Sequence, residues 1–254
     1  MFRNTLLALG VVLFVVSVSQ AQSFTEGFET GPPIFTGPSF GVNGPPGDAL
    51  ALASGNWFAL NNSVPIGVIG VFQSNLLVTP FGSFHAAMNF NNGGGLATIN
   101  TFLMSPTVTF NNGDTISFFT RTVDTPAFPD RMELQVSLNG SSTNAADFTT
   151  TLITINPTLT TAGYPNVWTQ FTGTISGLGG PTSGRFAFHY DVPGGGPSGA
   201  NSDFIGIDNV VYTSNSVVPE PTTMALMGIG GLGLAVVCRR AKKFRASWTA
   251  NQAV

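Results

Sequence analysis

The chain predicts an all-β protein, an antiparallel jelly roll or β-sandwich, preceded by an N-terminal signal peptide and followed by one C-terminal transmembrane helix. Three observations carry that prediction. Several mid-chain segments alternate apolar and polar residues with period two, as half-buried strands do. Glycine, proline and phenylalanine are abundant between many Thr, Ser and Asn, the composition of short strands joined by tight turns. Both ends carry apolar runs with basic residues on one side only, which belong to export and sorting.

Residues 1–21 form the signal peptide. Arg3 supplies the basic start, an apolar run follows from Leu6 to Val18, and Ser19-Gln20-Ala21 places small residues where signal peptidase reads. The run is too short to span a bilayer comfortably, so cleavage after Ala21 is expected.

Residues 22–216 form the ectodomain, a size usual for one sandwich. Its first third, 31–100, is irregular. Gly31-Pro32-Pro33, Gly44-Pro45-Pro46-Gly47 and Asn91-Asn92-Gly93-Gly94-Gly95 read as loops around short strands. Asn112-Gly113-Asp114 turns into a strand at 115–123. Met132, Leu134, Val136 and Leu138 then share one face opposite Arg131, Glu133, Gln135 and Ser137, and Asn139-Gly140 gives a hairpin signal. Strands follow at 149–155 and 168–176. Phe186, Phe188, Tyr190 and Val192 alternate with Arg185, Ala187, His189 and Asp191, and a last strand covers 204–213. No long helical period with caps interrupts this succession, which argues an antiparallel sandwich.

The C-terminal segment, 217–245, opens with Val218-Pro219-Glu220-Pro221. An apolar, Gly-rich run over 222–238 would rise about 25 Å as a helix, slightly short of a ~30 Å hydrocarbon core. Arg239, Arg240, Lys242 and Lys243 flank it and would hold the tail, 246–254, in the cytoplasm. Pro-Glu-Pro, a Gly-rich apolar stretch and a basic cluster, in that order, resemble the PEP-CTERM sorting signal. The resemblance implies that an exosortase-type enzyme recognises Pro219, Glu220 and Pro221 and processes the tail. A permanent single-pass membrane anchor is the alternative.

The ectodomain's marks resemble the choice-of-anchor J domains, related to MAM and cleaved-adhesin jelly rolls. They are Phe24-Thr25-Glu26-Gly27-Phe28-Glu29, Leu103-Met104-Ser105-Pro106, Gly113 to Phe118, Trp168-Thr169-Gln170-Phe171 and Phe204 to Val210. The resemblance implies adhesion, or glycan or protein binding, rather than catalysis. It also implies that the first and last strands run side by side, with Glu26, Glu29 and Asp208 as ligands of a structural calcium. Calcium takes six to eight oxygens, so carbonyls or water would complete the shell.

Charge narrows the partners. The ectodomain carries Arg121, Arg131 and Arg185, no lysine, and eleven carboxylates, for a net charge of about −8. That excludes a phosphate-binding face and hence nucleic acid, because counterion release needs clustered Lys and Arg. The lone cysteine, Cys238, lies in the apolar tail segment, so the ectodomain has neither a disulfide nor a thiol nucleophile.

Other chemistry is sparse. Asp124, Asp130 and Glu133 form an acidic patch that Arg121 and Arg131 are expected to pair at the surface. His85 and His189 lie far apart, without metal-ligand spacing, and read as local hydrogen-bonding residues. Trp57, beside Asn56, Asn61 and Asn62, is the one candidate sugar platform, whereas the other aromatics of that region read as core. No catalytic residues stand out. The expected function is an exosortase-sorted surface or matrix protein with a non-enzymatic binding or structural sandwich that contacts exopolysaccharide or surface proteins. A secreted polysaccharide hydrolase and an inert surface scaffold are the alternatives.

Overall fold

The structure, a computed structural model, describes residues 23–29, 50–51 and 57–215. The predicted signal peptide, the helix at 222–238, the Pro219-Glu220-Pro221 triplet, the basic residues Arg239, Arg240, Lys242 and Lys243, and the tail lie outside the described residues. Among the described residues no helix is long and apolar enough to cross a membrane.

The described chain is built from strands: β1 (Phe24–Glu26), β2 (Leu50–Ala51), β3 (Phe58–Asn61), β4 (Val64–Ile66), β5 (Phe72–Ser74), β6 (His85–Asn89), β7 (Gly93–Met104), β8 (Val108–Phe110), β9 (Thr115–Arg121), β10 (Met132–Ser137), β11 (Thr150–Ile155), β12 (Thr169–Thr174), β13 (Thr182–Gly195) and β14 (Phe204–Thr213). They form two antiparallel sheets. The first runs β12-β9-β14-β6-β5, with β1 beside β14. The second runs β11-β10-β13-β7-β3-β2, with β4 on β7 and β8 on β13.

The period-two pattern is what makes these sheets face each other. In β9, Ile116, Phe118 and Thr120 are buried while Ser117 and Phe119 lie on the outer face. In β10, Met132, Leu134 and Val136 are buried. The two inner faces meet ring to ring: Phe118 of β9 packs edge-on to Phe188 of β13, centroids 4.8 Å apart. Burying such a layer of aromatic and branched side chains is the main force holding the sandwich. The first strand pairs with the last, Phe24 opposite Tyr212 and Glu26 opposite Val210.

Two local readings are corrected. Gly93–Gly95 are strand, the start of β7, because β4 crosses so closely that a Cβ on Gly94 would sit 2.6 Å from the Ile66 carbonyl. Asn139-Gly140 does not close a two-residue hairpin. Gly140 has φ 55°, but the link from β10 to β11 continues through a 3-10 turn at Ala145–Asp147 and plugs Phe148 onto Phe102. Burial under that loop keeps Phe102, Met104, Leu60 and Ala187 from solvent on the second sheet's outer side.

Candidate functional site

The β1–β14 pairing carries Glu26 to within two residues of Asp208's position on the neighbouring strand. The loop between β5 and β6 closes over them. Thr79 donates its hydroxyl to Asp208 Oδ2, and the Asn209 amide donates to Oδ1 at 2.6 Å. Glu29 Oε1 accepts from the amides of Ser83 and Phe84, both at 2.8 Å, while Glu26 Oε1 accepts from the Phe28 amide at 2.6 Å. Phe28 and Asn209 both adopt positive φ, 56° and 46°, where the chain turns beside these acids. Glu26 and Glu29 therefore lie near enough to Asp208 to act on its charge, and Thr79 bonds it directly. No sequence signal marks Thr79, which is 129 residues from its partner.

The electrostatics of this cluster are those of crowded acids. Burial pushes the Asp208 carboxyl up to about 6, and Glu29 and Glu26 add to the effect, while Thr79 and the Asn209 amide oppose it. Burial likewise raises Glu26. Among the described residues no ion pair involves any of the three. An all-oxygen, anionic donor set suits a hard cation such as calcium. Yet among the described residues no group of three His, Cys, Asp or Glu converges so as to hold a metal ion.

Trp57 is not a sugar platform. It is 1 % exposed and lies in the core against Phe24, Phe28 and Phe186, so neither face of its ring is open to stack on a pyranose. The acidic patch also separates into different roles. Arg121 pairs with Asp124 at the surface, but Arg131 pairs with Asp191. Asp130 is buried, accepting from Thr122, Tyr190 (2.5 Å) and the Asp203 amide (2.8 Å), and burial pushes it up to about 6. Its partners come from three other parts of the chain, so it ties the sandwich together.

The histidines diverge. His189 Nε2 bonds Asn100 Oδ1 at 2.8 Å, and Nδ1 lies 3.8 Å from Glu133 Oε2. His85 contradicts the expectation of local hydrogen bonding. It is fully buried, neither ring nitrogen has a partner, and its ring meets Trp168 and Phe204 edge-on.

Comparison with known proteins decides the address. Residues 217–240 match the PEP-CTERM protein-sorting motif. The chain carries a PEP-CTERM sorting signal. That motif indicates export and sorting to the surface. No curated protein matches the chain in sequence. Among solved structures, the K1 cleaved adhesin domain of Lys-gingipain from Porphyromonas gingivalis W83 is 16% identical, with a TM-score of 0.45 over 77% of this chain and 99% of that one. The K2 cleaved adhesin domain of Lys-gingipain is 22% identical, with a TM-score of 0.42 over 76% and 99%. A carbohydrate-binding module of the β-sandwich superfamily is 10% identical, with a TM-score of 0.42 over 63% and 58%.

Proposed function

We propose that this PEP-CTERM protein is a non-catalytic binding or structural module, delivered to the cell surface by exosortase processing at Pro219-Glu220-Pro221. The sorting motif directly after the last strand is the observation that carries the reading. The ectodomain's buried acids support a non-catalytic role. Asp130 is engaged by the Tyr190 hydroxyl and the Asp203 amide, and Asp114 by the Tyr212 hydroxyl and the amides of Asn111 and Asn215. In this reading, calcium at Asp208 and Glu29, with Glu26 nearby, ties β1 and the β5–β6 loop to β14.

The sorting half is tested by expressing the full chain with an exosortase and following its mass and location. The wild type is expected as a shortened surface form, and the Glu220→Gln chain as a full-length membrane-retained form. Identical mass and location for both would overturn it. The calcium half is tested by melting the protein with calcium and with chelator. At a hundredfold excess over Kd, calcium should add about 2.7 kcal/mol. An unchanged Tm would remove calcium from the proposal.

A further inference from the structure

The outer face of the second sheet is open where the β10–β11 loop ends. Cross-strand registers set its residues in ranks. Thr154 lies opposite Glu133, and Glu133 opposite His189, whose ring stacks on the buried Phe102 of β7. One step along the strands, Asp191 lies opposite Asn100, and two residues the other way Thr151 lies opposite Gln135. Four strands at ~4.8 Å spacing make this polar strip about 14 Å across.

Most of the strip's charge is spent within it. Arg131 holds Asp191, and its Nε also donates to the Asp191 carbonyl at 2.9 Å. Glu133 faces His189 and takes the Gln135 amide at 2.7 Å, and the His189 contact holds its carboxyl below the usual range. The ectodomain as a whole is strongly anionic, yet on this face Arg131 and Asp191 cancel, and Glu133 is the one carboxylate left without an arginine. Hydrogen-bonding capacity is left over. Among the described residues, nothing bonds Gln135 Oε1 or Asn100 Nδ2, and the exposed Thr151 and Thr154 hold only long bonds, Thr151 accepting from Gln135 and Thr154 donating to Glu133, both at 3.5 Å. His189 Nδ1 also lacks a hydrogen-bond partner, but it is buried and adds nothing to the surface.

We infer that this strip binds an uncharged, linear polysaccharide laid across β11, β10, β13 and β7. A hydroxyl-rich chain offers both donors and acceptors to amides and hydroxyls that are held in place by the sheet and by each other. A protein partner would want aromatic or aliphatic anchors, and none of the large exposed hydrophobics lies on these ranks. An acidic polymer would want unpaired Lys or Arg, and the one arginine here is paired. The inference names the ligand class of the proposed surface module and so rests on that reading.

The test is affinity electrophoresis of the detergent-purified full chain through gels containing hydroxyethylcellulose, xylan, galactomannan or, as the acidic control, alginate. Retardation by at least one neutral polymer is expected, with Asn100→Ala and Gln135→Ala each weakening it about fivefold, the worth of one hydrogen bond. Thr154→Lys, which adds a charge to the exposed rim, should weaken it too, and unchanged melting of each variant shows that the fold is intact. Three results would overturn the inference: no neutral polymer retards the wild type, only alginate does, or the Asn100 and Gln135 variants bind as well as the wild type. A chain that is sorted and processed but retained by no neutral polymer sinks this inference alone. One that is retained but never sorted sinks the sorting proposal alone.

Discussion

Replacing His85 by leucine should stabilise the protein, and more so in mild acid. His85 is a buried imidazole with two nitrogens that bond nothing, set edge-on to Trp168 and Phe204. Each orphaned polar atom carries a desolvation cost of about 1–3 kcal/mol. Leucine has a similar volume and removes both, though it forfeits the ring contacts, worth about 0.5–1.5 kcal/mol each. The net gain at pH 7 is therefore on the order of 1–2 kcal/mol. Burial pushes the folded-state pKa down to about 4, with Arg121 adding to it and Glu29 opposing. A depressed histidine pKa stabilises the fold above the unfolded value near 6.5, and that stability is lost as pH falls toward 4. Between pH 7 and pH 5 the loss comes to about 2 kcal/mol, from ~1.36 kcal/mol per pH unit. Leucine cannot pick up the proton, so its advantage should grow by that amount. Urea unfolding of both proteins at pH 7 and pH 5 measures it, because Asp130 and Asp208 titrate alike in the two and cancel. If the gap between variant and wild type fails to widen at pH 5, or if leucine destabilises at both values, the account of His85 as an unsatisfied neutral base is wrong.

Three other outcomes are expected. Tyr190→Phe removes a donor to Asp130 and should cost about 1–3 kcal/mol at pH 7. The raised Asp130 pKa favours the protonated acid, whose stability is present at low pH and lost as pH rises through about 6, so the variant's deficit should shrink at pH 5 in the same unfolding assay. Trp57→Ala should cost about 3–5 kcal/mol through an unfilled core cavity, yet leave polysaccharide retardation unchanged in the cold, where the variant stays folded. Gly184→Ala should lower Tm by several degrees, since its Cβ would strike the Ser137 carbonyl and lie 2.8 Å from the Phe110 ring, and backbone cannot step aside.

What was legible in the chain was whatever depends on neighbours in sequence. The alternation of 132–137 and 185–192 is local, so those strands read directly, as did the Asn112-Gly113 turn, with Gly113 at φ 90°. What failed depends on partners brought from far away. Nothing near Asp130 announces that Thr122, Tyr190 and the Asp203 amide will enclose it, so it reads as one more surface acid. Trp57 reads as a platform because its burial is decided by Phe24 and Phe186, at opposite ends of the ectodomain. Beyond Val192, where the sequence alternation stops, β13 continues to Gly195 by means of a register shift between Val192 and Gly195. The polar strip on the second sheet was invisible for the same reason. Asn100 and His189 meet only because β7 and β13 pair.

The position of β14 also sets a timetable. It sits inside the first sheet, hydrogen-bonded to β6, β9 and β1. A chain that leaves the cell N-terminus first therefore delivers the keystone of that sheet last. Until Phe204–Thr213 emerges, β6 and β9 have no common neighbour, and their inner residues, Ala86, Met88, Ile116 and Phe118, lack the strand that joins them. Non-local pairing of this kind is slow to form and leaves strand edges open to wrong partners while it waits. The next residues to follow are those of the sorting motif. Completion of the fold and arrival of the signal at the membrane are thus nearly simultaneous. A processing enzyme that waits for the motif would, by that timing alone, meet mostly molecules able to close their first sheet.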